Sequence, residues 1–224
     1  MSGSSLPAWR QYPPEVLIEQ HKQRLNWMPW LYFKLKPKQQ QWALPWQQQL
    51  QRRHSAFETV HFAQHCFVAE TARLFAEPGR DIIIGTQSHI GADTFLHGPL
   101  RIGQGVGINH ACSLDGGKAG IEIGDHCRIA ANVKMYAFNH GVSSNALIAE
   151  QPVTSRGIKL GMDVWLGTDV AICDGVTIGD HAIVGMGSVV TRSIPAYEIW
   201  AGNPAKKIGD RRTKPDYHWG ERDR

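Results

Sequence analysis

The stretch 123–166, IGDHCRIAANVKMYAFNHGVSSNALIAEQPVTSRGIKLGMDVWL, decides the fold. A hydrophobic residue recurs at every sixth position through Ile129 to Met135, the repeat stops before His140, and it resumes at Leu160. Internal repetition at a fixed short period is the mark of a solenoid, in which each unit is stabilised by its neighbours. The repeat therefore predicts the scaffold, and its interruption predicts the position of the functional site.

The six-residue repeat extends in both directions from this stretch. All fifteen of its positions are occupied by Ile, Leu, Val or Met, and eight of them are followed by glycine. The positions are Ile84, Ile90, Leu96, Ile102, Ile108, Leu114, Ile123, Ile129, Met135, Leu160, Leu166, Ile172, Ile178, Val184 and Val190. A weaker extension through Phe62, Val68 and Leu74 would add one further turn.

A period of six fits short parallel strands joined by tight bends, with the aliphatic side chains inside a narrow prism. Glycine is expected to permit the backbone geometry of the bends. Because three hexads close one coil, the repeat predicts an all-β solenoid, a parallel β-helix of about five to six coils. The ends of such a solenoid need covers, which the segments before and after the repeat would supply.

Three regions follow from this interpretation. Residues 1–60 form a helical, aromatic and Gln-rich N-terminal segment, residues 61–195 form the β-helix with a protruding loop at 141–159, and residues 196–224 form a C-terminal cap and basic tail. Pro45 is expected to end or kink the second helix. The N-terminal tryptophans, Trp9, Trp27, Trp30, Trp42 and Trp46, either bury the helices against the β-helix or present an aromatic platform to an acceptor.

Composition narrows the range of functions. The net charge is +4, with basic ends and a mildly acidic middle, but no stretch has the Lys/Arg density of a nucleic-acid-binding surface. No apolar run approaches a membrane span and no signal peptide is apparent, so a cytoplasmic protein is expected. The four cysteines, Cys66, Cys112, Cys127 and Cys173, form no C-x-x-C pair and are expected to be reduced core residues.

Three motifs together resemble one family. The segments IGDHCRIAANVKMYAFNHG, KLGMDVWLGTDVAICDGVTIGDHAIVGMGSVVTRSIP and WAGNPAKKI are similar to the hexapeptide-repeat acyltransferases, in particular to the maltose and galactoside O-acetyltransferases and to polysaccharide-modifying acetyltransferases. The resemblance covers about residues 62–209. It implies a left-handed parallel β-helix, a homotrimer with active sites at the subunit clefts, and acetyl-coenzyme A as the donor.

The resemblance also implies roles for single residues. His140 matches the general base of the family, and an imidazole that titrates near neutrality is suited to removing the proton of an acceptor hydroxyl. His126 and His181 instead follow Ile-Gly-Asp in different coils, which indicates a bend position of the repeat. Asn109 and Asp115 resemble acceptor-binding positions, although the spacing between them is one residue shorter than in the family.

The remaining matches concern the cleft and the donor. Trp165 matches a tryptophan that lines the substrate cleft of the family. The family positions that contact coenzyme A correspond in this chain to Thr168, Met186, Thr191, Arg192 and Lys206. A cation at Lys206 suits the phosphates of coenzyme A, because charge-assisted hydrogen bonds to phosphate are strong. A further basic position of the family falls at Gly209, with Arg211 two residues later. Neither the activity nor these residues require a metal.

The residues leave several functions open. The leading hypothesis is acetyl transfer to a sugar hydroxyl of a glycan or glycan precursor, and its first alternative is N-acetylation of an amino-sugar nucleotide or an antibiotic-type acceptor. A second alternative is a zinc hydratase like the γ-carbonic anhydrases, for which His89, His97 and His110 are the candidate ligands. The third is a catalytically silent solenoid.

Overall fold

The computed structural model describes residues 12–213, so the predicted positions at Trp9 and in the tail beyond 213 lie outside the described residues. The chain begins with two α-helices, α1 (Pro14–Trp27) and α2 (Pro37–Phe57), joined by a 3-10 helix at Pro29–Lys34. Within the described residues the N-terminal segment is helical, as predicted.

Three sheets follow, parallel except for the last strand of sheet B, and the chain visits them in turn as far as β18. Sheet A is formed by β1 (Val60–Phe62), β4 (Ile82–Ile84), β7 (Leu100–Ile102), β10 (Ile121–Ile123), β13 (Ile158–Leu160) and β16 (Thr177–Ile178). Sheet B is formed by β2 (Phe67–Val68), β5 (His89–Ile90), β8 (Gly107–Ile108), β11 (Arg128–Ile129), β14 (Trp165–Leu166), β17 (Ile183–Val184), β19 (Glu198–Ala201) and β20 (Lys206–Asp210). Sheet C is formed by β3 (Arg73–Phe75), β6 (Phe95–His97), β9 (Ser113–Asp115), β12 (Lys134–Tyr136), β15 (Ala171–Ile172) and β18 (Val189–Val190).

These sheets are the three walls of a left-handed parallel β-helix with about six coils, as the repeat predicts. All fifteen repeat positions are buried, none being more than 4% exposed. They stack in register from coil to coil, as Ile102, Ile123 and Leu160 do in sheet A. The weaker extension through Val68 and Leu74 forms the first coil.

The glycines of the repeat serve a different purpose from the one expected. The bends take positive φ mainly at non-glycine residues, among them His126 and His181, both at +62°. The glycines that follow eight of the aliphatic residues are required instead by the close spacing of the coils: a Cβ at Gly85 would lie 2.5 Å from the carbonyl carbon of Gly103. The matching positions of His126 and His181 agree with a bend role for both.

The Gln-rich helix α2 covers the open edge of sheet B. The side chain of Gln47 donates to the carbonyl of Val68 at 3.0 Å and accepts from its N–H at 2.8 Å, so this amide replaces a neighbouring strand. Gln51 donates to the carbonyl of Cys66 at 2.8 Å. An uncovered strand edge can pair with another chain, and these glutamines prevent this by bonding the backbone groups of the edge. At the other end, β19 pairs with β17 and β20 returns antiparallel.

Two local expectations are corrected in part. The helix α2 runs through Pro45 without ending there, since the packing of its flanking residues Ala43 and Trp46 in the core holds both sides of the proline in helical conformation. Cys173 is exposed, whereas the other three cysteines are buried as expected. Within residues 12–213, no helix is long and apolar enough to cross a membrane.

Candidate functional site

An aromatic and polar groove lies on the outer face of sheet B. His89, Gly107, Arg128 and Trp165 follow one another in register on β5, β8, β11 and β14. The groove has a volume of about 220 Å³, and Trp30 of the 3-10 helix lines it from the N-terminal segment. The N-terminal segment thus contributes to a concave site on the β-helix.

Gly107 creates the space in this groove. A Cβ at this position would lie 2.7 Å from Nε2 of His89 and 3.6 Å from Cδ of Arg128, so both side chains extend over the glycine. Burial, together with the smaller effect of the nearby Arg128 charge, lowers the pKa of His89 to about 4. His89 is therefore neutral at physiological pH.

Two of the predicted acceptor residues, Asn109 and Trp165, meet in this groove. Oδ1 of Asn109 is buried and accepts no hydrogen bond from the described residues. Trp165 is 39% exposed and Trp30 is 41% exposed, so each presents part of its ring to solvent. A ligand in the groove would meet an unsatisfied acceptor and aromatic surface.

The predicted base, His140, lies elsewhere in the chain. It follows β12 of sheet C, is exposed, and contacts the ring of Phe138 edge-on at a centroid distance of 6.4 Å. It does not line the groove on sheet B. One chain therefore holds the candidate base and the candidate acceptor groove on different faces.

The base of the loop that follows His140 is firmly anchored. Asn139 and Thr154 pair as an antiparallel bridge, which closes the loop at its mouth. The carboxylate of Asp174 accepts from the backbone N–H groups of Arg156 at 2.8 Å and Gly157 at 2.9 Å. These bonds fix the direction of the chain on either side of the protruding segment.

The tip of the loop exposes apolar side chains. Val142 is 95% exposed and Leu147 is 70% exposed, and Val153 is also exposed. Gln151 holds the tip together through hydrogen bonds to Ser143. The protruding loop predicted from the interrupted repeat is confirmed.

Asp115 has partners of its own. Its Oδ2 lies 3.1 Å from Nδ1 of His97, the residue in register on the preceding coil, and its Oδ1 accepts from the N–H of Gly117 at 2.9 Å. Nε2 of His97 lies 3.8 Å from a carboxylate oxygen of Glu77. Asp115 is not among the lining residues of the groove with Asn109, and it orients His97.

The candidate donor residues form two groups near the last coils. Thr168 and Met186 lie on bends of adjacent coils, where the carbonyl of Thr168 accepts from the N–H of Gly187 at 2.8 Å. Met186 is 74% exposed. Thr191 and Arg192 follow β18, and the guanidinium of Arg192 lies 5.5 Å from the ring centre of Trp200.

The basic residues of the C-terminal hairpin differ in their availability. Lys206 is exposed and forms no ion pair with residues 12–213. Lys207 is bound to Glu198 at 2.7 Å. Arg211 donates to Asp163 at 3.0 Å and to the carbonyl of His181 at 2.9 Å, so it is engaged in structure. Neither Arg192 nor Lys206 forms an ion pair with residues 12–213, so both are available to a phosphate.

The three candidate zinc ligands lie on different parts of the coils. His89 is on sheet B, His97 is on sheet C beside Asp115, and the ring of His110 lies 5.0 Å from that of Trp27. Across the described part of one chain, no three His, Cys, Asp or Glu side chains are grouped as metal ligands.

His89 and Arg128 were not among the predicted acceptor or donor residues, whereas Trp30 is one of the N-terminal tryptophans for which an acceptor platform was one of two expectations. His89, Arg128 and Trp165 each directly precede the second repeat position of their coil, so the repeat itself places them in one column. Trp30 carries no such signal, because only packing of the N-terminal segment brings it to the groove.

Two families of repeats match this chain. Residues 157–192 match the bacterial transferase hexapeptide family, described as six repeats, and residues 81–137 match the hexapeptide repeat of succinyl-transferase. The two matched ranges are separated by residues 138–156, which include His140 and most of the loop that follows it.

Curated relatives include enzymes of two kinds. The chain is 40% identical over 88 residues to the galactoside O-acetyltransferase of Escherichia coli K12, covering 39% of this chain and 43% of that protein. It is 29% identical over 119 residues to the mitochondrial gamma carbonic anhydrase 2 of Arabidopsis thaliana, covering 49% of this chain and 43% of that protein. The chain therefore spans less than half the length of either relative.

A solved structure of AntD from Bacillus cereus has a similar fold. This structure is of a mutant of the N-acyltransferase in complex with dTDP-4-amino-4,6-dideoxyglucose and coenzyme A, and it superimposes with a TM-score of 0.65 and 27% identity. The superposition covers 71% of this chain and 87% of that chain.

Proposed function

We propose that this chain, whose repeats are those of the hexapeptide-repeat transferases, moves acetyl from acetyl-coenzyme A to a sugar hydroxyl. One observation carries the proposal: the repeat breaks where His140, an exposed imidazole, stands at the mouth of an anchored loop. Loops inserted into regular scaffolds commonly carry function. The likeness to galactoside O-acetyltransferase supports the choice of a sugar hydroxyl.

His140 acts as the general base in this proposal. It accepts the proton of the acceptor hydroxyl while the oxygen forms its bond to the acetyl carbon and the carbon–sulfur bond breaks, and the proton then passes to the sulfur. Acetyl moves in one direct transfer, because the thioester is already an activated acyl donor. No side chain of the protein is acylated.

The residues near the last coils suit a coenzyme A donor. Arg192 and Lys206 supply positive charge for the phosphates, and the exposed side chain of Met186 supplies an apolar contact for the pantetheine arm. Thr168 and Thr191 supply hydroxyl groups. In this assignment the other basic residues of the C-terminal hairpin remain structural, since they are already paired with carboxylates.

The proposed active unit is a homotrimer. Within one chain His140 lies apart from the groove that holds Asn109 and Trp165, so a complete site requires a second copy of the chain. The loop that starts at His140 exposes Val142 and Leu147, which are suited to burial against a neighbouring subunit. Closed symmetry then gives each subunit the same pair of neighbours.

The test is acetyl-coenzyme A turnover by His140→Ala with a panel of sugars, monitored through the release of free thiol. The expected result is a loss of roughly a hundredfold or more, which is the range for removing a general base. His61→Ala is the matched control, because His61 is an exposed histidine on β1. Full activity of His140→Ala would refute its role as the base.

N-acylation of an amino sugar is the second candidate, favoured by the likeness to AntD. The product decides between the two, since an acetyl ester is cleaved by mild alkali and an acetamide is not. A zinc hydratase, which the likeness to gamma carbonic anhydrase 2 keeps as an alternative, would contain stoichiometric zinc that is lost on mutating His89 and His110. A silent solenoid would not turn over acetyl-coenzyme A with any acceptor.

A further inference from the structure

One residue in the lining of the groove on sheet B is charged. Its lining comprises three aromatic or imidazole rings, an asparagine, small or aliphatic residues and a single cation, Arg128, with no acidic side chain among the described residues. Arg128 forms no ion pair with any of residues 12–213. A concave site with one unpaired cation attracts an anionic group.

Arg128 is held in place by the backbone rather than by a carboxylate. Its Nη1 donates to the carbonyls of Gly105 at 2.6 Å and Cys127 at 3.0 Å. Within the described chain, its Nε and Nη2 donate to no acceptor. A guanidinium that is fixed through one nitrogen and keeps further N–H groups can bind a carboxylate or a phosphate through two parallel hydrogen bonds.

Asn109 gives the groove an unsatisfied hydrogen-bond acceptor. Its Oδ1 is buried without a partner among the described residues, and a ligand hydroxyl or N–H group would satisfy it. His89 remains neutral because burial lowers its pKa to about 4, so it offers a hydrogen bond without adding charge. Trp30 and Trp165 add apolar ring surface to the lining of the groove.

We infer that the groove binds a sugar that carries an acidic group, with Arg128 on the carboxylate or phosphate, Asn109 on a hydroxyl or amino group, and the two tryptophans against the ring. This inference rests on the proposed function, since it specifies the acceptor class of that reaction. The volume of about 220 Å³ suits one ring rather than an oligosaccharide. Gly107 is essential to the site, because any side chain there would occupy the gap between His89 and Arg128.

The test is calorimetric binding of galactose, galacturonate and galactose 1-phosphate to the full chain. We expect at least one acidic sugar to bind roughly ten- to a hundredfold more tightly than galactose, which is the value of a charge-assisted hydrogen bond. The two acidic probes distinguish a carboxylate from a phosphate ligand. Equal affinity for all three, or binding of none, overturns the inference.

Variants of Arg128 test whether this residue causes the tighter binding of the acidic sugar. Arg128→Gln should remove the advantage of the acidic sugar over galactose, whereas Arg128→Lys should retain part of the advantage because it keeps the charge. Equal weakening of acidic and neutral sugars in Arg128→Gln contradicts the assignment. If this variant does not fold, the wild type gives the test instead: a higher salt concentration must weaken its binding of the acidic sugar but not its binding of galactose.

Sugar binding and acetyl transfer are measured separately, so the acidic ligand and the proposed function can be refuted independently. His140→Ala should keep the preference for the acidic sugar over galactose, since the cation that gives this preference is Arg128. Arg128-dependent binding without any acetyl transfer would refute the proposed function and leave the acidic ligand in place. Acetyl transfer to galactose with no preference for the acidic sugars would refute the acidic ligand and leave the proposed function.

Discussion

His89 makes the stability of this protein depend on pH, and the structure gives the size of the effect. Its side chain is buried on sheet B, 9% exposed, against the ring of Phe33. Burial, with a smaller contribution from the charge of Arg128, lowers its pKa from 6.5 to about 4 in the folded protein. The unfolded chain therefore binds a proton on this residue over a pH range in which the folded chain does not.

The sign and size of the effect follow from this difference. Between pH 6.5 and about 4 the unfolded state binds more protons, so the free energy of unfolding falls as the pH is lowered. Going from pH 7 to pH 5, His89 alone should cost about 2 kcal/mol of stability. Below pH 4 the folded state is also protonated at His89, and the loss from this residue levels off.

The assay compares urea unfolding of the wild type and His89→Gln at pH 7 and pH 5, at one protein concentration. Gln keeps a polar side chain but does not titrate, so the variant should lose about 2 kcal/mol less than the wild type over this interval. His61→Gln on β1 is the exposed control and should behave as the wild type does. An equal loss in the wild type and His89→Gln would refute the reasoning.

Three further outcomes are expected. Met135→Ala should lower the free energy of unfolding by about 2–5 kcal/mol, because Met135 is fully buried, whereas Met162→Ala, at an exposed bend, should change urea unfolding little. Asp174→Ala should speed proteolysis within the loop 141–159 by removing its anchor, and unchanged cleavage on mass spectrometry would contradict that role. Of the four thiols only Cys173 should react with a thiol reagent in the folded protein, and fast modification of a second thiol would contradict the burial of the others.

The coils were predictable because the positions of the six-residue repeat are also the positions whose side chains enter the core. Each repeat position is an aliphatic residue that stacks on its counterpart in the next coil, and the glycine that follows eight of them is enforced by the close approach of that coil. Helix α2 was less predictable at Pro45, because tertiary packing of Trp46 and Gln47 outweighs the local preference of proline.

The site was predictable only in part. Asn109 and Trp165 meet as lining residues of one groove, but their neighbour Trp30 comes from the N-terminal segment, far away in the chain, and no local pattern places it there. Asp115 matches an acceptor position in sequence, yet it binds His97, a partner that becomes visible only once the register of β6 and β9 is known. Long-range packing, rather than spacing, decides these contacts.

The separation of His140 from the groove also gives the central claim a direct test. If a complete site combines His140 of one subunit with the groove of another, two inactive variants should complement each other. Neither His140→Ala nor Asn109→Ala alone should transfer acetyl at an appreciable rate, whereas a trimer that contains both can assemble a site from two intact halves.

The decisive measurement is acetyl-coenzyme A turnover by a refolded equimolar mixture of His140→Ala and Asn109→Ala chains. Random assembly pairs an intact His140 with an intact groove in about a quarter of the sites, so the mixture should regain about a quarter of the wild-type rate. A mixture no more active than the two variants measured separately would contradict a site shared between subunits.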